Sequence, residues 1–110
     1  MGLRRGDIVT IALPGAYGKP RPALVIQSDY FHEHPSVTIL PITSELRPTP
    51  LFRVAMLPDA ANGLRMESQV MVDKAHTVPR EKAREVMGHA DDATMLAVSR
   101  SLSVFLGIVT

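Results

Sequence analysis

The chain contains no cysteine and no tryptophan. Without cysteine there is no disulfide framework, no thiolate nucleophile and no thiolate zinc site. Net charge is almost absent too: 12 Lys and Arg against 11 Asp and Glu leave +1. That excludes a chain-wide basic field for nucleic acid, so any anion site is local. Long apolar runs are also missing; none approaches the ~20 residues that span a bilayer. Arg4 and Arg5 are followed by Gly6-Asp7, not by the apolar stretch of a secretory signal. A soluble, cytoplasmic protein is the expectation. What is present is 45% apolar residues in a chain of 110, enough for one core in a single domain expected to run 1–110.

The composition changes along the chain. Eight of the nine prolines precede residue 60, and the ninth is Pro79. Residues 7–13 (DIVTIAL) alternate as a first strand. Residues 14–22 (PGAYGKPRP), with three prolines and two glycines, form a loop. Residues 23–27 (ALVIQ) read as a buried strand, and Ser28-Asp29 as a turn or helix cap. Residues 37–43 (VTILPIT) are a third strand, in which Pro41 implies an edge or a bulge. Alternation resumes over 51–57, a turn-rich connection follows over 57–63, and a fifth strand runs from Ser68 to Val72, with an extension as far as Val78 open. After Pro79 helix formers dominate. A short helix is expected over 80–87, with proline in its first turn and Gly88 as its stop. Asp91 or Asp92 caps a second helix to Phe105, with Met95, Val98, Leu102 and Phe105 on one face and Gly107 beyond its end. About five short strands and a closing helix make a mostly β, α+β fold, a small barrel plugged by its C-terminal helix.

Four groups of residues carry chemistry. In Lys19-Pro20-Arg21-Pro22 two prolines restrict where Arg21 points, and its guanidinium fork suits phosphate; the plain alternative is a solvated arginine on a hairpin loop. Thr43-Ser44 places hydroxyls at a strand end, able to bind phosphate or simply to form a turn. Asp73 ends an apolar strand, as a general base or a turn acceptor. His32 and His34 share a spacing that suits a metal, but no third ligand is evident; His76 and His89 read as surface residues. The loop over 14–22 lacks the Lys-Ser/Thr ending of a nucleotide-binding P-loop.

Taken in order, Arg5-Gly6-Asp7-Ile8-Val9, Lys19-Pro20-Arg21-Pro22-Ala23-Leu24-Val25-Ile26, Leu40-Pro41-Ile42-Thr43-Ser44, Asn62-Gly63-Leu64, Ser68-Gln69-Val70-Met71-Val72-Asp73-Lys74 and the apolar ending over 102–108 resemble the MazF/PemK/Kid family of toxin endoribonucleases. The resemblance implies an SH3-like barrel of the CcdB/MazF type, a homodimer, a small antitoxin partner, and metal-independent cleavage of single-stranded RNA. It implies that Arg21 stabilises the charge of the reacting phosphate, that Thr43 holds that phosphate, and that Asp73 is a base in some members. Tyr17 is placed to stack on a base, and Lys19, Ser44, Arg47, Arg53, Arg65, Ser68 and Lys74 to contact RNA. The chain departs from the family in two places. Ala16 and Tyr17 stand where many members carry Glu or Gln, and Met71 stands where a subset has arginine; the proton donor and acceptor therefore stay open. Two other readings are a gyrase-poisoning toxin of the same fold, which acts through a tryptophan-containing helix end unlike Phe105-Leu106-Gly107-Ile108, and a non-catalytic SH3-like binding module.

Overall fold

A computed structural model describes residues 2–12, 19–83 and 85–109. Seven strands occur among them: β1 (Asp7–Ile11), β2 (Arg21–Val25), β3 (Ser36–Thr43), β4 (Arg53–Met56), β5 (Ser68–Met71), β6 (His76–Pro79) and β7 (Glu85–His89). One α-helix, α1 (Asp92–Phe105), follows. All pairings are antiparallel, in the order β4-β5-β3-β2-β1-β7, with β6 on β3. The expected curled sheet with its C-terminal helix is present, with more strands than the five anticipated.

β3 is the hinge of the architecture. One edge pairs with β2 over Ile39–Pro41; the other pairs with β6 over Ser36–Ile39 and with β5 at Ile42 and Thr43. Pro41 therefore sits in a central strand, not at an edge. The Ile26 N–H donates to the Thr38 carbonyl at 3.1 Å, so backbone groups of alternate residues 38, 40 and 42 face β2. Those of Ile39 and Pro41 face the opposite edge. The missing N–H of Pro41 thus points into the gap where β6 has ended and β5 has not begun, and costs no ladder bond.

The sheet buries both faces. Ile8, Leu24, Leu40, Ile42 and Val70 join Met95, Val98 and Leu102 of α1 on one side; Val9, Ile11, Ala23, Val25, Val37 and Ile39 pack on the other. Phe105, assigned by periodicity to the same helix face, is 49% exposed and does not join this core. The Asp91 carboxylate caps α1, accepting from the Thr94 N–H at 2.7 Å, and Gly107 at φ +75° ends it. That bond, followed by the Thr94 side chain, holds the Asp91 carboxyl below its ordinary value of 3.8. A lowered folded-state value gives stability that is present above the unfolded value and lost as pH falls through the folded one. Asp91→Ala is thus expected to melt at a lower temperature than wild type at neutral pH. The deficit should shrink below pH 3.8, as read by thermal melts across pH.

The expected helix over 80–87 is a correction. Arg80–Lys82 form only a 3-10 turn, and β7 continues to His89. Helix propensity in Arg-Glu-Lys-Ala is overridden because β7 pairs with the free edge of β1. The register slips between Ile8 and Val9, leaving Met87 as an extra residue in β7, a bulge that turns it onto the core. Gly88 is no helix stop: a Cβ there would strike the Ala61 carbonyl and come within 2.6 Å of Asn62 C. The 57–66 connection lies backbone to backbone on β7, where the His89 N–H donates to the Ala61 carbonyl at 2.8 Å.

Asn62 organises that connection. Its buried Oδ1 accepts from the N–H groups of Asp59 (3.1 Å) and Leu64 (2.9 Å), and its Nδ2 donates to the Leu57 carbonyl at 2.9 Å. Asn62→Ala leaves these three backbone groups without partners and should destabilise the fold by about 2 kcal/mol in urea unfolding. Loss of under ~0.5 kcal/mol, the usual range for a surface substitution, would show that the side chain is not the clamp.

Candidate functional site

Arg21 opens β2 and Thr43 closes β3. The pairing sets Ala23 opposite Pro41; continued by two residues, it sets Arg21 opposite Thr43. Alternation then puts both side chains on the face shared by Ala23 and Pro41. Both line a cavity of about 670 Å3 at this end of the barrel. Ser44, Ser68 and Lys74 line it too, as do Glu45, Arg65, Leu64, Met66, Met71 and His76.

The hydroxyl of Thr43 is held in place. Its Oγ1 accepts from the Glu45 N–H at 3.0 Å, the turn role weighed for it, and its own proton stays available for a phosphate oxygen. Among the described residues no hydrogen bond or ion pair engages the Arg21 guanidinium, which stands exposed at the rim. Around it are the cations Arg65 and Lys74 and the carboxylate of Glu45, itself paired with Arg47. The cavity is therefore locally positive in a chain of net charge +1.

Other expected contacts are spent on structure. The Arg47 N–H donates to Gln69 Oε1 at 2.9 Å, and its carbonyl accepts from Gln69 Nε2 at 3.0 Å. Arg53 Nη1 donates to the Glu45 carbonyl at 2.8 Å and to Gln69 Oε1 at 3.0 Å. Arg47 through its backbone and Arg53 through its guanidinium thus brace the loop after β3; the Arg47 guanidinium pairs with Glu45, and neither arginine lines the cavity. Ser68 is buried, and its hydroxyl donates to the Met66 carbonyl at 2.8 Å. Asp73 sits on a 3-10 turn (Val72–Lys74), 3.9 Å from Lys74 Nζ, beside the cavity and outside its lining. Lys19 is exposed just ahead of β2 and outside that lining. Tyr17 lies outside the described residues.

Sequence reading missed three contributors. His76 looked like an isolated surface residue, and only the pairing of β6 with β3 brings it to the cavity. Gln69 carries no signal except its place on a strand, and Glu45 none beyond its nearness to Thr43. The pair His32 and His34 is occupied locally: His32 Nδ1 lies 3.0 Å from the Asp29 carbonyl, and His34 Nδ1 accepts from the Ser36 N–H at 3.1 Å. Among the described residues no three His, Cys, Asp or Glu side chains gather as a metal site.

Comparison with known proteins gives this site its context. The family model of the PemK-like, MazF-like toxins of type II toxin–antitoxin systems matches residues 4–106. The chain belongs to that family. A probable endoribonuclease MazF from Mycolicibacterium smegmatis is 46% identical over 107 residues, covering 96% of this chain and 98% of that protein. Endoribonuclease EndoA of Bacillus subtilis is 24% identical over 114 residues, covering 99% and 98%. Among solved structures, a mycobacterial endoribonuclease in complex with its cognate antitoxin superposes with a TM-score of 0.83 at 21% identity, covering 98% of each chain. The Mycobacterium tuberculosis toxin MazF-mt6 gives 0.78 at 25% identity, covering 92% and 96%. The barrel and its helix are thus those of MazF toxins.

Proposed function

We propose that this MazF-like toxin endoribonuclease cuts single-stranded RNA at short sequences in the cytoplasm, without a metal ion, with one domain carrying the reacting groups. The observation that carries the reading is the opposed Arg21 and Thr43 at the mouth of a locally positive cavity. The 2′-hydroxyl of the RNA supplies the nucleophile. Its proton leaves to an acceptor, the O2′–P bond forms, the P–O5′ bond breaks, and the 5′-oxygen takes up a proton. A 2′,3′-cyclic phosphate and a 5′-hydroxyl result. Arg21 offsets the charge that builds on the equatorial oxygens, while Thr43 donates its hydroxyl proton to one of them. An arginine is a poor proton donor, so its role is electrostatic.

RNA contacts are assigned to Arg65, Lys74, Ser44, Lys19 and Tyr17. Ser68 shapes the wall through its turn. Asp73 is the base that the family resemblance offers, and it would have to act from beside the cavity. The toxin works as a homodimer with its groove near the dimer interface. An acidic antitoxin segment that folds on binding covers the groove; the solved relatives include a complex of MazE with MazF from Deinococcus radiodurans.

The test is incubation of the purified chain with a defined set of single-stranded RNAs in EDTA, with end-group analysis of the products. Cleavage that leaves 2′,3′-cyclic phosphate is expected. Cleavage restored only by added divalent metal, or products with 3′-hydroxyl ends, would discard the mechanism.

A further inference from the structure

We propose that His76 is a titratable contact to a flanking phosphate in the RNA groove, away from the scissile bond, so that RNA binding tightens as pH falls. This rests on the endoribonuclease reading above and adds a residue and a regulation to the same site.

His76 opens β6 opposite Ile39, and its side chain reaches the cavity that also holds Arg21 and Thr43. Ile39 and Thr43 are both on β3 and four residues apart, ~13 Å at a strand's rise per residue. His76 thus lies in the same cavity as Thr43 but ~13 Å of backbone further along it, so the two residues can meet different phosphates of one strand. An RNA strand that crosses this cavity brings another phosphate to it.

The imidazole is exposed, and among the described residues no hydrogen bond or ion pair engages it. The charged groups around the same cavity are Arg21 from β2, Arg65 from the 57–66 connection, Lys74 from the turn before β6, and Glu45 from the loop after β3. Glu45 is already paired with Arg47, and Asp73, beside the cavity on the turn before β6, lies 3.9 Å from Lys74 Nζ. Cations outnumber carboxylates here, so the negative partner of an imidazolium is supplied by bound RNA and not by the protein. Histidine is the side chain whose charge ordinarily changes near neutral pH. Protonation and RNA binding are then linked: each favours the other.

The experiment is fluorescence anisotropy with a labelled single-stranded RNA oligonucleotide of mixed sequence. The oligonucleotide is 2′-O-methylated throughout, so that it cannot be cut. Wild type and His76→Gln are compared at about pH 5.5 and about pH 8, on either side of the ordinary imidazole range. The wild type is expected to bind about five- to tenfold more tightly at the lower pH. Its plot of log affinity against log salt should steepen there by about 0.7, the value for one phosphate on a single strand. His76→Gln keeps the remaining histidines and should show neither change. Equal pH and salt responses in the two proteins would overturn the proposal. So would retained, pH-sensitive binding by His76→Gln with loss of cleavage of unmodified RNA at saturation, because that assigns His76 to the reaction itself. A wild type that binds this oligonucleotide at neither pH also overturns the inference, whereas the endoribonuclease reading itself stands or falls on the cleavage assay in EDTA.

Discussion

Arg21→Ala is expected to cut RNA ~10²–10³-fold more slowly than wild type, the usual effect of removing one preorganised charged contact to a transition state. The loss should appear in single-turnover cleavage at saturating RNA, because the charge Arg21 opposes is greatest when the phosphorus is five-coordinate. Stability should hardly change. Arg21 is exposed, with no hydrogen bond or ion pair among the described residues, so the melting temperature is expected to stay within about 3 °C. Arg21→Lys keeps the charge without the planar fork and should recover only part of the rate. A variant that cuts at the wild-type rate would remove Arg21 from the mechanism. A variant that fails to fold would mean that Arg21 serves the barrel. Thr43→Val belongs in the same assay. It should slow cleavage too, but with some loss of stability, because Oγ1 also accepts the Glu45 N–H.

Gly88→Val should produce a large loss of stability. The new side chain meets the Ala61 carbonyl and Asn62 C and O, the last two at 2.6 and 2.7 Å from a Cβ. All are backbone atoms, held by the pairing of β7 on one side and by the Asn62 clamp on the other, so nothing flexible yields. Overpacking of this kind costs ~1–3 kcal/mol. In a domain of this size that corresponds to a drop on the order of 10 °C in melting temperature. Gly88 does not have a positive φ, so even Gly88→Ala should be costly for reasons of space alone. A glycine that merely stopped a helix would tolerate alanine far better. A melting temperature within 2–3 °C of wild type for Gly88→Val would contradict the close approach of the two backbones, since ~0.5 kcal/mol is all that such a shift represents.

Much of the architecture was legible locally. β1 follows from its alternation, β3 from its β-branched and apolar residues, and β2 from its buried apolar run, although it begins at Arg21, inside the segment expected to be a loop; α1 follows from its cap at Asp91 and its stop at Gly107. The 80–87 segment misled because Pro79 and Gly88 have the spacing of helix punctuation. What they actually serve is the end of β6 and the seat of the 57–66 connection. Pro41 misled in the opposite sense: the rule that proline avoids central strands holds, but β3 has a gap on one edge, and only the change of partner from β6 to β5 creates it.

The candidate site divides in the same way. Arg21 and Thr43 could be picked out because each carries a chemical type at a strand end and belongs to an ordered set of family segments. Arg47 and Arg53 looked equivalent to them as cations, yet the Arg47 guanidinium is paired with Glu45, and that of Arg53 donates to the Glu45 carbonyl and to Gln69. Nothing in a list of basic residues separates a free guanidinium from one already satisfied.

By itself the sequence determined that there is no thiol chemistry, that almost no net charge is available, and that strand-forming segments are followed by a capped helix. These depend on residue type and on neighbours a few positions away, which a linear reading contains. The tertiary structure alone decided which charges gather. Twelve cations against eleven anions say only that an anion site must be local. The antiparallel register that sets Arg21 opposite Thr43, and the turn to β6 that brings His76 to the same cavity, make it local. Those contacts join residues more than twenty positions apart, and their geometry is fixed by which face each strand buries.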